Sequence, residues 1–202
     1  MTENAELMRQ SRQDLEGRWE SILAVCAVPI LFQSLVSGGS YISPETPISL
    51  INIFVIGPLS FGVSRYCLNF SRGHEPEFGQ IFQGFNSIGK NILANLLMGI
   101  LVGLASLFFV IPGIIVALMF SQTYFILSDN EEMGAWEAMQ LSKEMMRGNK
   151  TKLLLLALRF FGWFLLCLLS LGIGFFILSP YYNLTMAKFY DDIRDNVYVE
   201  QY

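Results

Sequence analysis

Apolar residues fall in six long runs, parted by short joints rich in Gly, Pro or charge. The runs cover 20–36, 48–70, 91–111, 112–128, 152–170 and 172–190. A helix needs roughly 20 residues to cross the hydrocarbon of a bilayer, with about 17–25 the workable range. All six reach that length, the first and fourth only just. Barrel strands alternate over short segments, whereas these runs are continuous. An unpaired backbone group in lipid costs several kcal/mol, so each run predicts a helix that pairs its own backbone.

The joints predict how the helices connect. Ile111-Pro112-Gly113 splits one long apolar stretch, and Leu171-Gly172-Ile173-Gly174 splits another. Proline cannot continue a helix ladder, and glycine tolerates turn geometry. Residues 37–47, rich in Ser, Gly and Pro, read as a longer loop. The expected fold is an all-α membrane protein of six transmembrane helices arranged as three hairpins. The first 19 residues carry Glu3, Glu6, Asp14 and Glu16, and no short apolar stretch with a small-residue cleavage site follows. The first run is therefore expected to stay as a membrane helix. The whole chain, 1–202, reads as one membrane domain: an amphipathic segment 1–19, a six-helix bundle 20–190 and a tail 191–202.

An amphipathic, cytoplasmic-side helix is expected before each hairpin. The clearest has Phe78, Ile81, Phe82, Phe85 and Ile88 at helical spacing. Another places Ala135, Ala138, Met139, Ser142, Met145 and Met146 on one face, and the N-terminal one has Met8, Leu15 and Trp19. Such segments lie in the headgroup plane. A Gly-and-base junction follows each: Gly17-Arg18-Trp19, Gly89-Lys90-Asn91 and Gly148-Asn149-Lys150. The layout fits a threefold internal repeat. It equally fits a plain requirement of hairpins for Gly and Pro at turns and bases at the inner edge.

Charge fixes the orientation. Residues 37–47, 111–113 and 171–174 hold no Lys or Arg, while Arg9, Arg12, Arg18, Arg72, Lys90, Lys143, Arg147, Lys150, Lys152, Lys188 and Arg194 lie on the other side. The positive-inside rule then puts both termini in the cytoplasm. Composition agrees with a membrane class. Mean hydropathy is +0.47 and only 15% of residues are charged, against about 25% in a typical soluble domain. The net charge of −4 gives no footprint for nucleic acid. Cys26, Cys67 and Cys167 sit in apolar runs without zinc spacing and read as small buried hydrophobes.

Several strings then recur in a fixed order. They are Gly57-Pro58-Leu59 with Gly62, Ile111-Pro112-Gly113-Ile114-Ile115, and Ser142-Lys143-Glu144-Met145-Met146 with Gly148 and Lys150. Gly162-Trp163, Gly172-Ile173-Gly174 and Pro180-Tyr181 follow. Together they resemble the bacterial integral membrane family catalogued as domain of unknown function 975, from about Gly17 to Asp192. The layout is more distantly similar to the membrane portion of membrane-anchored glycerophosphodiester phosphodiesterases. Their soluble catalytic domain has no counterpart in these residues, so that activity does not carry over. The resemblance implies a topology and supplies no catalytic residue.

Candidate chemistry is sparse. His74 is the single histidine and lies in a polar loop, and no HExxH, CxxC, GxSxG or Walker-type motif occurs. No enzyme activity, metal or cofactor is expected. No Asp or Glu falls deep in an apolar run, which argues against proton-coupled transport. Arg65 and Arg159 do lie within helices, each seven residues from a base at the inner edge. Two readings fit them: snorkelling to the inner headgroups, or an anion or lipid-phosphate site.

After each hairpin turn a polar cluster recurs at nearly one offset: Ser64-Arg65-Tyr66, Ser121-Gln122-Thr123-Tyr124, and Tyr181-Tyr182-Asn183 with Thr185. Polar groups avoid lipid, so these are expected to face one another, either as a ligand site or as interhelical glue. Gly99 and Gly103 form a GxxxG that predicts close helix packing, within the chain or beyond it. Pro29, Pro58 and Pro180 fall mid-helix, where kinks are expected. The expected function is a non-enzymatic inner-membrane role in lipid handling, envelope maintenance or scaffolding. The alternative is a transporter or channel for a small or amphiphilic solute. Expected partners are the bilayer, anionic lipids within it, and membrane or cytoplasmic proteins.

Overall fold

A computed structural model describes residues 2–42, 48–108, 110–169, 172 and 174–199. Among them every regular element is helical. The order is α1 (Asn4–Leu15), α2 (Trp19–Ile42), α3 (Ile48–Ser71), a 3-10 segment (Phe78–Phe85), α4 (Ile88–Phe108) and α5 (Val110–Phe120). It continues with α6 (Thr123–Asp129), α7 (Ala135–Met145), α8 (Lys150–Leu169) and α9 (Gly174–Val199). Among the described residues, three stretches are long and apolar enough to cross a membrane: Ile88–Leu107, Ile111–Asp129 and Lys150–Leu169. Their outer faces are bare hydrocarbon, with Leu107 and Leu169 each 81% exposed. Apolar area of that extent has no stable place in water.

Several boundaries differ from the sequence expectation. The helix α2 runs on through Ser37 to Ile42, where a loop is expected from 37. A helix ladder pairs every backbone group, which outweighs the cost of Gly38 and Gly39, about 1 kcal/mol each. Pro112 and Gly113 sit inside the first turn of α5 rather than in the joint before it. A first-turn proline forfeits no ladder bond, since that N–H has no partner there. The expected turn residues 43–47, Leu171 and Ile173, and the tail end 200–202, lie outside the described residues. At the last joint Gly172 takes φ +89°, and its N–H closes α8 on the Cys167 carbonyl.

α2, α3 and α9 each run on through their proline. A break without proline parts α5 from α6 at Ser121-Gln122. There the Ser121 hydroxyl donates to the Leu118 carbonyl at 2.9 Å, and Thr123 to that of Phe120 at 2.8 Å. Hydroxyls bonded back onto carbonyls compete with the ladder and bend it.

The helix α3 is the hub. It packs against α2, α4, α6, α9 and the 3-10 segment. Its contact with that segment is backbone on backbone. A Cβ on Gly62 would collide with the Ile81 carbonyl, and one on Gly84 with the Pro58 carbonyl. The expected regular amphipathic helix at 78–88 is therefore a 3-10 turn followed by the start of α4. Ile81 and Gly84 are buried against α3, while Phe78 and Phe82 stay about half exposed. Asn91, 1% exposed, locks the segment by donating to the Gly84 carbonyl at 2.7 Å.

Sequence neighbours pack in pairs, α2 on α3, α4 on α5 and α8 on α9. The leading segments pack elsewhere. α1 precedes α2 but lies on α8 and α9. The 3-10 segment precedes α4 but lies chiefly on α3. α7 precedes α8 but lies on α4, α5 and α6. α1 is clamped by Thr2, whose N–H and hydroxyl donate to Asp192, and by Asn4, which donates to the Lys152 carbonyl. Ser142 of α7 donates to the Met119 carbonyl at 2.8 Å.

The glycines narrow one expectation. Among the described residues no atom lies within 4 Å of where a Cβ on Gly99 or Gly103 would stand, so their GxxxG packs no described helix, which leaves contact beyond the chain. Close approach falls instead at Gly57, Gly62 and Gly84, and at Gly113 and Gly174. Gly62→Ala is expected to destabilise the fold by about 1–3 kcal/mol through overpacking. Gly99→Ala is expected to gain up to about 1 kcal/mol from helix propensity. Thermal unfolding of the two purified variants checks both signs.

Candidate functional site

Two helix ends and the body of a third meet on one set of charges. Arg72, just past α3, donates to Asp129 at 2.7 Å and to Asp191 at 2.8 Å. Arg194 donates to the second oxygen of Asp129 at 2.7 Å, and the Tyr190 hydroxyl to the same oxygen at 3.0 Å. Asp129 closes α6, and the other three partners belong to α9. Burial opposes the charge on Arg72, but the two carboxylates outweigh it and hold the guanidinium above its ordinary value. These side chains are 21–29% exposed, so each pair alone is modest; the shared network fixes the geometry.

That pin sets the depth of what lies further along each helix. Ser64, Ser121 and Asn183 each stand eight residues before Arg72, Asp129 and Asp191. Eight residues is roughly 12 Å of helix. The three positions accordingly line one cavity of about 310 Å³, together with Ser60, Tyr124 and Tyr182. No charged side chain lines it. Tyr124 lines it through other atoms, while its hydroxyl oxygen is buried out of reach of water and has no hydrogen-bond partner. Asn183 donates to the Ser179 carbonyl at 2.9 Å and approaches the Cys26 sulfur at 3.9 Å.

Beside the cavity an apolar cleft of about 730 Å³ opens between α2, α8 and α9. Phe160, Phe161, Phe164, Phe175 and Phe176 form most of its wall. Ile30, Ser179 and Tyr182 line both spaces, so cleft and cavity adjoin. Tyr182 stands between them, its ring edge-on to Phe160 at 5.2 Å.

The other candidate residues lie apart. Arg65 pairs with Glu131 and does not line the cavity. It follows Ser64 directly, and one helical residue turns the side chain by about 100°. Together with Lys90, which donates to the Glu131 carbonyl at 2.7 Å, it holds the turn after α6. In the fold the partner of Arg65 is thus a carboxylate of the chain itself. Tyr66 is 1% exposed and stacks on Phe70. Gln122 is fully buried, donates to the Ser121 hydroxyl at 3.2 Å and leaves its carbonyl oxygen unpartnered. The Tyr181 hydroxyl donates to the Met8 carbonyl at 3.2 Å, tying α9 to α1. Arg159 is exposed on α8 in a shallow depression with Thr151, Leu155 and Leu158. All three cysteines are buried, and among the described residues no disulfide joins them. Among the described residues no group of His, Cys, Asp and Glu could hold a metal ion.

Sequence reasoning missed the charge pin. Arg72 reads as one more inner-edge base, Asp129 draws no notice, and Asp191 reads as part of an acidic tail. The available signal was the common eight-residue spacing to the polar clusters.

The structure thus defines an all-helical protein with crossing-length apolar helices around an uncharged polar cavity. The chain belongs to the family described as "Protein of unknown function (DUF975)", whose model matches residues 1–115 and 106–197. No curated protein and no solved structure matches it.

A second charge set governs α1. Lys152 donates to Asp192 at 2.6 Å, beside the two bonds from Thr2. Burial alone would raise the Asp192 carboxyl; the bonds from Lys152 and Thr2 overcome it and hold the group below its ordinary value. A depressed carboxylate adds stability above its unfolded pKa, about 4, and that contribution is lost as pH falls through the lower folded value. Acidification below about pH 4 should therefore loosen α1, seen as faster amide exchange at Leu7 and Ser11. Asp192→Asn should exchange fast at neutral pH already and lose the acid step.

Proposed function

We propose that this is a multi-pass bacterial inner-membrane protein that handles lipid without catalysing a reaction. Its chain crosses the membrane six times as three hairpins, with both termini in the cytoplasm. Support for the hairpins comes from the paired packing of α2 with α3, α4 with α5, and α8 with α9. Support for a threefold repeat comes from the leading segments. Each packs on the hairpin before its own in a closed cycle: α1 on the third, the 3-10 segment on the first, α7 on the second. Half-exposed Phe78 and Phe82, and Trp136 at 55% exposure, give the segments on that side apolar groups to set into headgroups.

One observation carries the lipid reading: an aromatic-walled cleft adjoins a cavity whose lining mixes hydroxyl and amide groups with apolar side chains and holds no charge among the described residues. A soluble ligand would need an aqueous mouth, whereas a chain-bearing molecule enters from the bilayer. The absence of any paired acid and base in the lining supports binding rather than catalysis.

Ala157 lines the cleft, and Ala157→Phe should plug it. Mass spectrometry of lipids retained by gently purified protein should show enrichment over the bulk membrane for wild type. The plugged variant should lose that enrichment by about tenfold while melting within a few degrees of wild type. Equal retention by both would place lipid elsewhere on the surface and remove the reading.

A second reading, passage of a small or amphiphilic solute, is favoured by the central position of the uncharged cavity. Solute flux across vesicles that follows the plug variant, with no lipid retained, would select it.

A further inference from the structure

The lining of the central cavity specifies which headgroup it accepts. Ser60, Ser64 and Tyr182 bring hydroxyls to the lining, and Asn183 an amide. Hydroxyls both donate and accept, so they match a ligand that does the same. No cation lines the space, and Arg65, the base next to Ser64, is held by Glu131. A phosphate carried into this cavity would lose its water and meet no counter-charge, which is heavily disfavoured at low dielectric.

Size agrees with that chemistry. About 310 Å³ holds roughly ten waters at about 30 Å³ each, room for a glycerol or a sugar ring. The adjoining cleft, walled by phenylalanines, suits an acyl chain. We infer that the site takes a lipid with an uncharged, hydroxyl-bearing headgroup, its head among Ser64, Tyr124 and Asn183 and its chain along α8 and α9. The inference rests on the lipid-handling reading and names the class of lipid.

The probes are dioleoylglycerol and dioleoylphosphatidic acid, which share chains and differ in the phosphate. The full chain is placed in phosphatidylcholine nanodiscs carrying equal small fractions of both, then stripped to tightly held lipid and analysed by mass spectrometry. Wild type should retain dioleoylglycerol over phosphatidic acid by about tenfold. Tyr182→Phe, nearly isosteric, should lose several-fold of that retention. Ser64→Arg, which puts a cation into the lining, should turn the preference toward phosphatidic acid. Phosphatidic acid held as well as or better than dioleoylglycerol by wild type overturns the uncharged-headgroup inference and leaves lipid handling standing. Neither probe held above its bulk fraction removes both. An unchanged preference in a folded Tyr182→Phe also counts against the inference, even if Ser64→Arg does not fold.

Discussion

Asp129 accepts from Arg72, Arg194 and Tyr190, and Arg72 also reaches Asp191. These bonds join the ends of α3 and α6 to the body of α9, three helices far apart in the chain. Each ion pair is about a quarter exposed and modest alone. Their joint effect is geometric, because helices pinned at one level keep register with one another along their whole length. Backbone contacts further along α3 harden that register: α3 leaves no space for a Cβ at Gly62 against Ile81, nor the 3-10 segment at Gly84 against Pro58. The cavity at Ser64, Ser121 and Asn183 lies eight residues along the chain from each pinned group.

The apolar periodicity of the chain made its helices readable, since a run of hydrocarbon admits few backbone solutions in lipid. Part of each polar cluster (Ser64, Ser121 with Tyr124, and Tyr182 with Asn183) lines one cavity, while Arg65, Tyr66, Gln122 and Tyr181 lie apart from it. Finer geometry was not legible. Ser64 and Arg65 are adjacent letters, yet helix rotation puts one in the cavity and the other on Glu131. The segment at 78–85 carries a helical apolar pattern, but its conformation follows from Gly84 abutting Pro58, a contact between distant residues. Gly99 and Gly103 matched a packing motif and face open space, because the same spacing arises wherever small residues fall on an outer face. The break at Ser121 had no proline to announce it; hydroxyls bonding back to carbonyls produced it.

Exterior and interior then tell a consistent story. The outer faces of α4 and α8 are hydrocarbon, matched to acyl chains. The space inside is polar but uncharged, and it is reached through an aromatic cleft from the side. Charges are gathered where α3 and α6 finish against α9, where they fasten helices and α1 together and leave the cavity neutral. That division of labour favours recognition of an amphiphile by shape and hydrogen bonding over recognition by charge.

The most direct measurement is an experimental density map of the protein in native-lipid nanodiscs. The account predicts elongated density entering between α2, α8 and α9 and ending in a compact head beside Tyr124 and Asn183. A cavity closed by side chains, with lipid density confined to the outer faces, would contradict it.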